Sequence, residues 1–303
     1  MIRYGRNVRW LNDYKTEIEF SKKAGFDFHQ VWYDYRGISI SDLPDPKEQC
    51  LKDTGFPCII HALLDIAEFE EHIYRLCDIS KVINSPDIII HPVCKREVIT
   101  EKTVSILSEK VGYAYKILSE NGIKLFIENN SKIDPINYKV QEIKQVFDEN
   151  HEVEFLLDIA HIDSYEHLED MVFVKMPKKL HVADKRSHIP HEHLPVGKGN
   201  IDFKYVFSNV LKNFDGDIIF EIIDEDEAIL QSKRVIQKII KDNSMEIHLK
   251  IIESAIREYT EKQKVENTRC DRCNELIEIS QFSQSGCLIR CKCGFHNDTL
   301  RGL

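Results

Sequence analysis

His181–Phe203 reads HVADKRSHIPHEHLPVGKGNIDF, and the fold is decided by what this stretch opens and closes with. Its lead-in, KKLHVAD at 178–184, is a short apolar run of the kind that forms a strand covered on both faces. Beyond His181 the chain becomes a loop carrying His188, His191 and His193. It closes on Gly197 and Gly199, then Asn200-Ile201-Asp202-Phe203, a glycine turn entering a helix. Imidazole is the commonest metal ligand in proteins. A histidine at a strand end, with more in the following loop, suits a metal site at the mouth of a barrel. Taken alone the loop reads equally well as a solvated polar connection, so the rest of the chain has to decide.

Outward from this stretch the same pattern repeats. Apolar runs over 2–8, 26–33, 57–64 (PCIIHALL), 86–93 (PDIIIHPV), 122–130 (GIKLFIENN), 152–161 (EVEFLLDIAH) and 216–222 (GDIIFEI) read as strands. Helices are expected over 12–24, 66–83, 98–120, 136–149, 202–213 and 224–241, with Gly25 and Asn121-Gly122 as stop signals. Residues 34–55, with Pro44, Pro46 and Gly55, read as a long loop with at most a short helix. Alternation of this kind argues for a parallel sheet. Eight repeats argue for an α/β fold closed as a (β/α)8 TIM barrel over 1–241. A doubly wound open sheet is the alternative, but no G-x-G-x-x-G follows the first strand.

The polar residues fall in a pattern of their own. His61, His91, Glu128, Asp158, His181 and Glu221 each end or interrupt an apolar strand near its C-terminal end. A barrel gathers those ends on one face. One such residue is a satisfied core polar group; six from six strands converge on a common site. Buried carboxylates without a cation are costly, so a divalent metal (Zn, Mn or Mg) is expected among them.

Composition bounds the rest. With 303 residues, 42% of them hydrophobic, the chain has the length of one large barrel or two smaller domains. A net charge of −10 argues against a broad nucleic-acid face, although it allows a local basic patch. No apolar run reaches membrane-spanning length, and MIRYGRNVRWLNDYK lacks the apolar core of a secretory signal, so a cytoplasmic protein without membrane contact is expected. Of the nine cysteines, Cys50, Cys58, Cys77 and Cys94 are scattered and read as plain thiols.

The pieces IIIHPV, LFIENN, LLDIAH, LHVAD, HLPVGKGNIDF and IIFEI, in this order and spacing, resemble the xylose-isomerase-like barrel superfamily. That superfamily holds sugar-phosphate isomerases and epimerases as well as endonuclease IV. In the epimerase branch the resemblance implies one divalent metal on Glu128, Asp158, His181 and Glu221. The two glutamates are then the catalytic acid/base pair, and His161 holds substrate. In the endonuclease IV branch it implies further zincs that involve His61, His91, His161 and His193. There the chain departs from the pattern: His191 stands where that enzyme has an aspartate, two residues before the last histidine. Lys185 and Arg186, in the loop after His181, are candidate phosphate contacts; a solvated basic pair is the plainer alternative.

After Lys241 the barrel pattern stops. Residues 242–266 are expected to form a linking helix, with Ile247, Ile251, Ile252, Ala255, Ile256 and Tyr259 on one stripe that lies on the barrel or pairs with another chain. Then follow Cys270-x-x-Cys273 and Cys291-x-Cys293, separated by the β-prone span LIEISQFSQSGCLIR. Two close pairs suit a structural zinc held by four cysteines over 267–303, and a module this small needs such a staple. Disulfides are the alternative, and Cys287 is a spare. Residues 268–300 resemble small zinc ribbons of the Com type. That resemblance implies nucleic-acid or protein contact, with Arg269, Arg272, Arg290 and Lys292 as a basic edge diluted by Asp271, Glu275 and Glu278.

Two readings of function follow. The first is a metal-dependent isomerase or epimerase of a sugar or sugar phosphate, with the ribbon appended. The second is an endonuclease-IV-like phosphodiesterase whose ribbon grips nucleic acid. The acidic charge favours the first; the ribbon and the His61/His91 pair favour the second. A sugar-binding regulator without turnover is a third reading, opposed by the complete glutamate pair. Expected partners are a small sugar substrate, nucleic acid or protein at the ribbon, and a second copy of the chain.

Overall fold

A computed structural model of the chain describes residues 2–34, 37–38, 46–95, 98–283 and 286–301. Eight strands pair in parallel and in sequence order to close a barrel: β1 (Arg3–Asn7), β2 (Phe28–Tyr33), β3 (Cys58–Asp65), β4 (Asp87–Val93), β5 (Lys124–Glu128), β6 (Glu154–Asp158), β7 (Lys179–Val182) and β8 (Asp217–Phe220). The helices are α1 (Tyr14–Lys23), α2 (Pro46–Thr54), α3 (Phe69–Ile83), α4 (Glu101–Glu120), α5 (Val140–Glu149), α6 (Tyr165–Val174), α7 (Phe203–Tyr205) and α8 (Asp226–Lys262). This is the (β/α)8 architecture expected from the sequence. Of the expected 34–55 loop, residues 35–36 and 39–45, with Pro44, lie outside the described residues; Pro46 begins α2.

Local chemistry sets the helix ends. Asp13 caps α1 by accepting from Thr16 N at 3.0 Å, and Gly25 follows the helix at φ +64°. Thr100 and Thr103 form a capping box at the start of α4, and Gly122 takes φ +72° just past its end. Three helices differ from expectation. No helix is predicted over 165–174, because α6 buries only Leu168 and Met171 and leaves Phe173 92% exposed, a weak stripe. The helix expected over 202–213 is one α-turn, α7, continued by a wide π-type turn over Val206–Val210. The helices expected over 224–241 and from 244 onward are the single helix α8; Asp242, Asn243 and Ser244 include no proline or glycine to stop it.

Strand periodicity positions the site. Phe28, Ile59, Ile89, Phe126, Leu156 and Ile219 form one buried apolar layer inside the barrel. Gly5 belongs to the same layer: it pairs with Phe28, and a Cβ there would collide with the Phe28 ring. Lys179 crosses it, its ammonium 4.5 Å from the Phe126 ring centroid and 2.8 Å from Asp87 Oδ2, with Asp217 as a second partner. Alternate strand residues face the same way. The next inward layer is therefore Asn7, Gln30, His61, His91, Glu128, Asp158, His181 and Glu221, one residue per strand or strand end, and all of them are buried.

The chain divides into two compact units, residues 1–236 and 237–303. The second holds an antiparallel three-stranded sheet in the order β11 (Asn297–Arg301), β10 (Gly286–Arg290), β9 (Glu278–Ser283). Its core joins Ile252 and Ala255 of α8 to Cys270, Ile277, Cys287, Ile289 and Cys291, and Tyr259 meets Phe282 with ring centroids 5.0 Å apart. The stripe expected to cover the barrel or pair with another chain thus packs on the cysteine-rich sheet, which is too small to bury its own apolar face.

Candidate metal centre

Four donors meet at the centre of the polar layer. His181 Nδ1 lies 3.1 Å from Glu128 Oε1, 2.9 Å from Glu221 Oε2 and 3.6 Å from Asp158 Oδ2. They come from the C-terminal ends of β5, β6, β7 and β8, each two residues beyond its strand's member of the layer below: Phe126, Leu156, Lys179 and Ile219. A second group shares Glu128: its Oε2 is 2.7 Å from His61 Nε2 and 3.1 Å from His91 Nδ1. A third shares Asp158: its Oδ2 is 3.5 Å from both His161 Nε2 and His193 Nε2, and His191 stacks on His193 with centroids 4.9 Å apart. Ligand atoms of His61, His91 and Glu128, of His61, His181 and Glu221, and of His161, His191 and His193 each fall within 4.8 Å of one another.

The His-rich loop reaches this place because Asp184 ties it down. The Asp184 carboxylate accepts from the backbone N–H of Lys185 (2.8 Å), Gly197 (2.8 Å), Gly199 (2.9 Å) and Ile201 (3.1 Å). Gly197 sits at φ +88°, and a Cβ at Gly199 would strike the Lys185 carbonyl, so both turn positions require glycine. Asp184 also exchanges two backbone hydrogen bonds with Leu194, which sets His193 beside Asp158. His161 is fixed by Asn129, whose carbonyl accepts from its Nδ1 at 2.9 Å. The Asn129 side chain also accepts from Asp158 N at 2.7 Å.

Burial and charge work against each other here. Burial pushes Glu128 up, but the imidazoles of His181, His91 and His61 outweigh it and hold the carboxyl well below the usual carboxylate range. Asp158 is likewise raised by burial and pulled below its usual range by His161 and His193. Burial alone would lower His181 and His91; Glu221 and Glu128 raise His181 well above the usual value, and Glu128 raises His91. His191 goes the other way, lowered to about 4 by burial and by neighbouring His161 and His193.

The donor set fits divalent cations. Asp158 Oδ2, His161 Nε2, His193 Nε2, His61 Nδ1, His91 Nε2 and both Glu221 oxygens are buried without a hydrogen-bond partner. Buried polar atoms in native interiors are met by protein, water or an ion, and imidazole nitrogens and carboxylate oxygens aimed at one place are the donor types that hold a divalent ion. Above the donors lies a cavity of about 160 Å³, lined on its apolar side by Trp32 and Leu63 and on its polar side by Asp134, His91, His191 and Glu221 among others.

Every strand-end residue read from the sequence is brought together, with His161, His191 and His193. Lys185 and Arg186 are not among the cavity's lining residues. The Lys185 ammonium donates to the Ile162 carbonyl, and Arg186 pairs with Glu192. His188 is exposed. The remaining two members of the layer, Asn7 and Gln30, were not among the site residues expected from the sequence; the register of β1 on β2 reveals them.

In the second unit Cys270, Cys273, Cys291 and Cys293 bring their sulfurs within 4.8 Å of one another, and Cys287 lies apart in the core. Arg272 N donates to Cys270 Sγ at 3.4 Å and His296 N to Cys291 Sγ at 3.2 Å. Backbone N–H groups, Glu275 first, lower Cys273 to about 7, which favours the thiolate that zinc requires. All nine cysteines are free thiols.

A closed eight-stranded parallel barrel with clustered His, Asp and Glu side chains at the C-terminal ends of its strands defines a TIM-barrel protein. Residues 18–239 match the xylose isomerase-like TIM barrel, and the chain belongs to that family. No curated protein sequence matches it. Among solved structures it is similar to a D-tagatose 3-epimerase-like protein, with 16% identity, a TM-score of 0.66 and coverage of 81% of this chain and 99% of that one. It is similar to the IOLI protein, described with a bound zinc atom, at 15% identity, TM-score 0.63 and coverage of 80% and 99%. It is also similar to endonuclease IV from Thermus thermophilus, at 17% identity, TM-score 0.57 and coverage of 79% and 99%. At these identities the likenesses establish the fold.

Proposed function

We propose that the barrel is a multinuclear metal-dependent hydrolase that cleaves a phosphate diester. One observation carries this: nine donor side chains form three groups that share Glu128, Asp158 and Glu221. Moving a proton beside a carbonyl needs one ion and two carboxylates. Four further histidines, His61, His91, His161 and His193, meet the same carboxylates, and His191 stacks on His193; this exceeds that need and supports a phosphodiesterase over an isomerase.

Bound divalent ions at such a site polarise phosphoryl oxygens and lower the pKa of a coordinated water. Glu128 would be shared by the inner and the His61/His91 groups, one oxygen to each. Asp158 would be shared by the inner and the His161/His191/His193 groups. Trp32 and Leu63 offer an apolar wall to the substrate's organic part. Among the described residues no lysine or arginine lines the cavity, while Glu128, Asp134 and Glu221 do. An anionic substrate would be repelled until cations fill the donors, so binding as well as turnover should depend on metal. We further propose that Cys270, Cys273, Cys291 and Cys293 hold one structural zinc, and that the ribbon contacts nucleic acid.

The isomerase reading keeps one supporting observation. Glu128 and Glu221 both contact His181 Nδ1, which suits an acid and a base serving one substrate carbon. One experiment separates the two. Metal-loaded protein is incubated with duplex DNA containing an abasic site, and separately with ketoses in heavy water. Nicking that is lost in His91→Ala, without deuterium uptake, supports the hydrolase. Metal-dependent deuterium uptake that disappears in Glu128→Gln and Glu221→Gln, without nicking, overturns it.

A further inference from the structure

Gln30 is fully buried on β2, yet it touches a ligand of β7, with β1 and β8 lying between the two strands in the barrel. Its Oε1 is 2.8 Å from His181 Nε2. The opposite nitrogen of that ring, Nδ1, faces Glu128, Asp158 and Glu221. An imidazole that donates through Nε2 presents the Nδ1 lone pair to an ion; one without an acceptor at Nε2 is free to change tautomer or turn its ring. The Gln30 Nε2 amide is itself buried and unpaired. A side chain kept for packing would not leave that donor stranded, since an apolar residue of the same shape carries no such desolvation penalty. The amide is placed there for its oxygen.

We propose that Gln30 is a positioning residue that fixes the tautomer and ring orientation of His181 and thereby sets the affinity of the inner ion. This rests on the metal-centre reading but not on the reaction catalysed. Outer partners of this kind typically change metal affinity by about 10–100-fold. Gln30 supplies a neutral acceptor, so the imidazole is held without adding a fourth negative charge to the three carboxylates.

The test uses full-length protein stripped with chelator and titrated with Co²⁺ or Zn²⁺, with no substrate present. Gln30→Met keeps the shape and removes the acceptor. It should weaken one ion by about 10–100-fold, leave the others, and leave the melting temperature of the metal-free protein unchanged, because one stranded polar group replaces another. Gln30→Glu keeps the acceptor and should restore affinity; it also serves if the methionine variant fails to fold. Nitrogen-15 NMR of metal-loaded protein should show His181 protonated at Nε2 in wild type and in Gln30→Glu, and mixed in Gln30→Met. Unchanged affinity in Gln30→Met overturns the proposal. So does weaker binding accompanied by a lower metal-free melting temperature and no rescue in Gln30→Glu, which marks a packing role. Wild-type protein that binds no barrel ion overturns this and the metal-centre reading together. Wild-type protein that binds ions but cleaves nothing overturns only the hydrolase reading.

Discussion

Glu128→Gln is the most informative single change to the barrel. The side chain is fully buried and uses both oxygens, Oε2 toward His61 (2.7 Å) and His91 (3.1 Å), Oε1 toward His181 (3.1 Å). An amide of the same shape keeps one acceptor and turns the other corner into a donor, with no charge. Because two of the three donor groups share this carboxylate, metal content should fall by about two ions per chain, leaving the one held by His161, His191 and His193. In metal-free protein near pH 6 the loss strands raised, protonated His91 and His181. Breaking a buried charge pair from one side costs about 3–5 kcal/mol. For a unit of this size that is a drop of about 6–20 °C in melting temperature. Elemental analysis of dialysed protein and thermal melts in chelator measure the two quantities. Loss of a single ion would refute the sharing of Glu128, and an unchanged metal-free melt near pH 6 would refute the charge pairing.

Asp158→Ala should abolish activity and metal retention in both groups that use Asp158 while circular dichroism still reports a folded barrel; full activity in that variant ends the metal-centre reading. Cys270→Ser with Cys273→Ser should release one zinc and expose residues 267–301 to protease, because metal binding supplies the folding energy of so small a module; a zinc-loaded, protease-resistant tail would contradict this. Ile252→Ala, in the core shared by α8 and the cysteine-rich sheet, should cost about 2–5 kcal/mol in the second unit, seen as faster local hydrogen exchange; unchanged exchange would contradict the packing. Metal-free stability should depend on pH in a definite sense. His91 and His181 have raised folded values, so their contribution is complete below about pH 6.5 and is lost as the pH rises through those values. His161 and His191 are lowered, so stability also falls as the pH drops below about 6.5. Chelator-treated protein should therefore melt highest near neutrality and lower toward pH 9, and added divalent metal should remove the alkaline loss; a melting temperature that rises steadily to pH 9 would refute the assignment.

The strand ends were legible in the sequence because a barrel strand covered on both faces is mostly apolar, so a histidine or carboxylate near its C-terminal end stands out. His61, His91, Glu128, Asp158, His181 and Glu221 each break such a run, and period-two geometry carries all six to one layer. Helix α6 was not legible, because Leu168 and Met171 are its only buried residues. Asn7 and Gln30 were missed because a neutral amide in a strand carries no chemical signature of its own; only the register β1–β2, with Asn7 opposite Gln30, shows them completing the layer.

By itself the sequence determined the barrel, its metal-competent strand ends and the paired cysteines, since these depend on local periodicity and spacing. Tertiary structure decided which donors share which carboxylate, that Asp184 gathers the 185–201 loop and aims His193 at Asp158, that Gln30 meets His181 from the other side of two strands, and that the apolar stripe of α8 belongs to the core of the cysteine-rich sheet. The donor contacts join strands far apart in the chain and form only when the barrel closes, while the loop and second-unit contacts depend on turns and packing that no periodicity encodes.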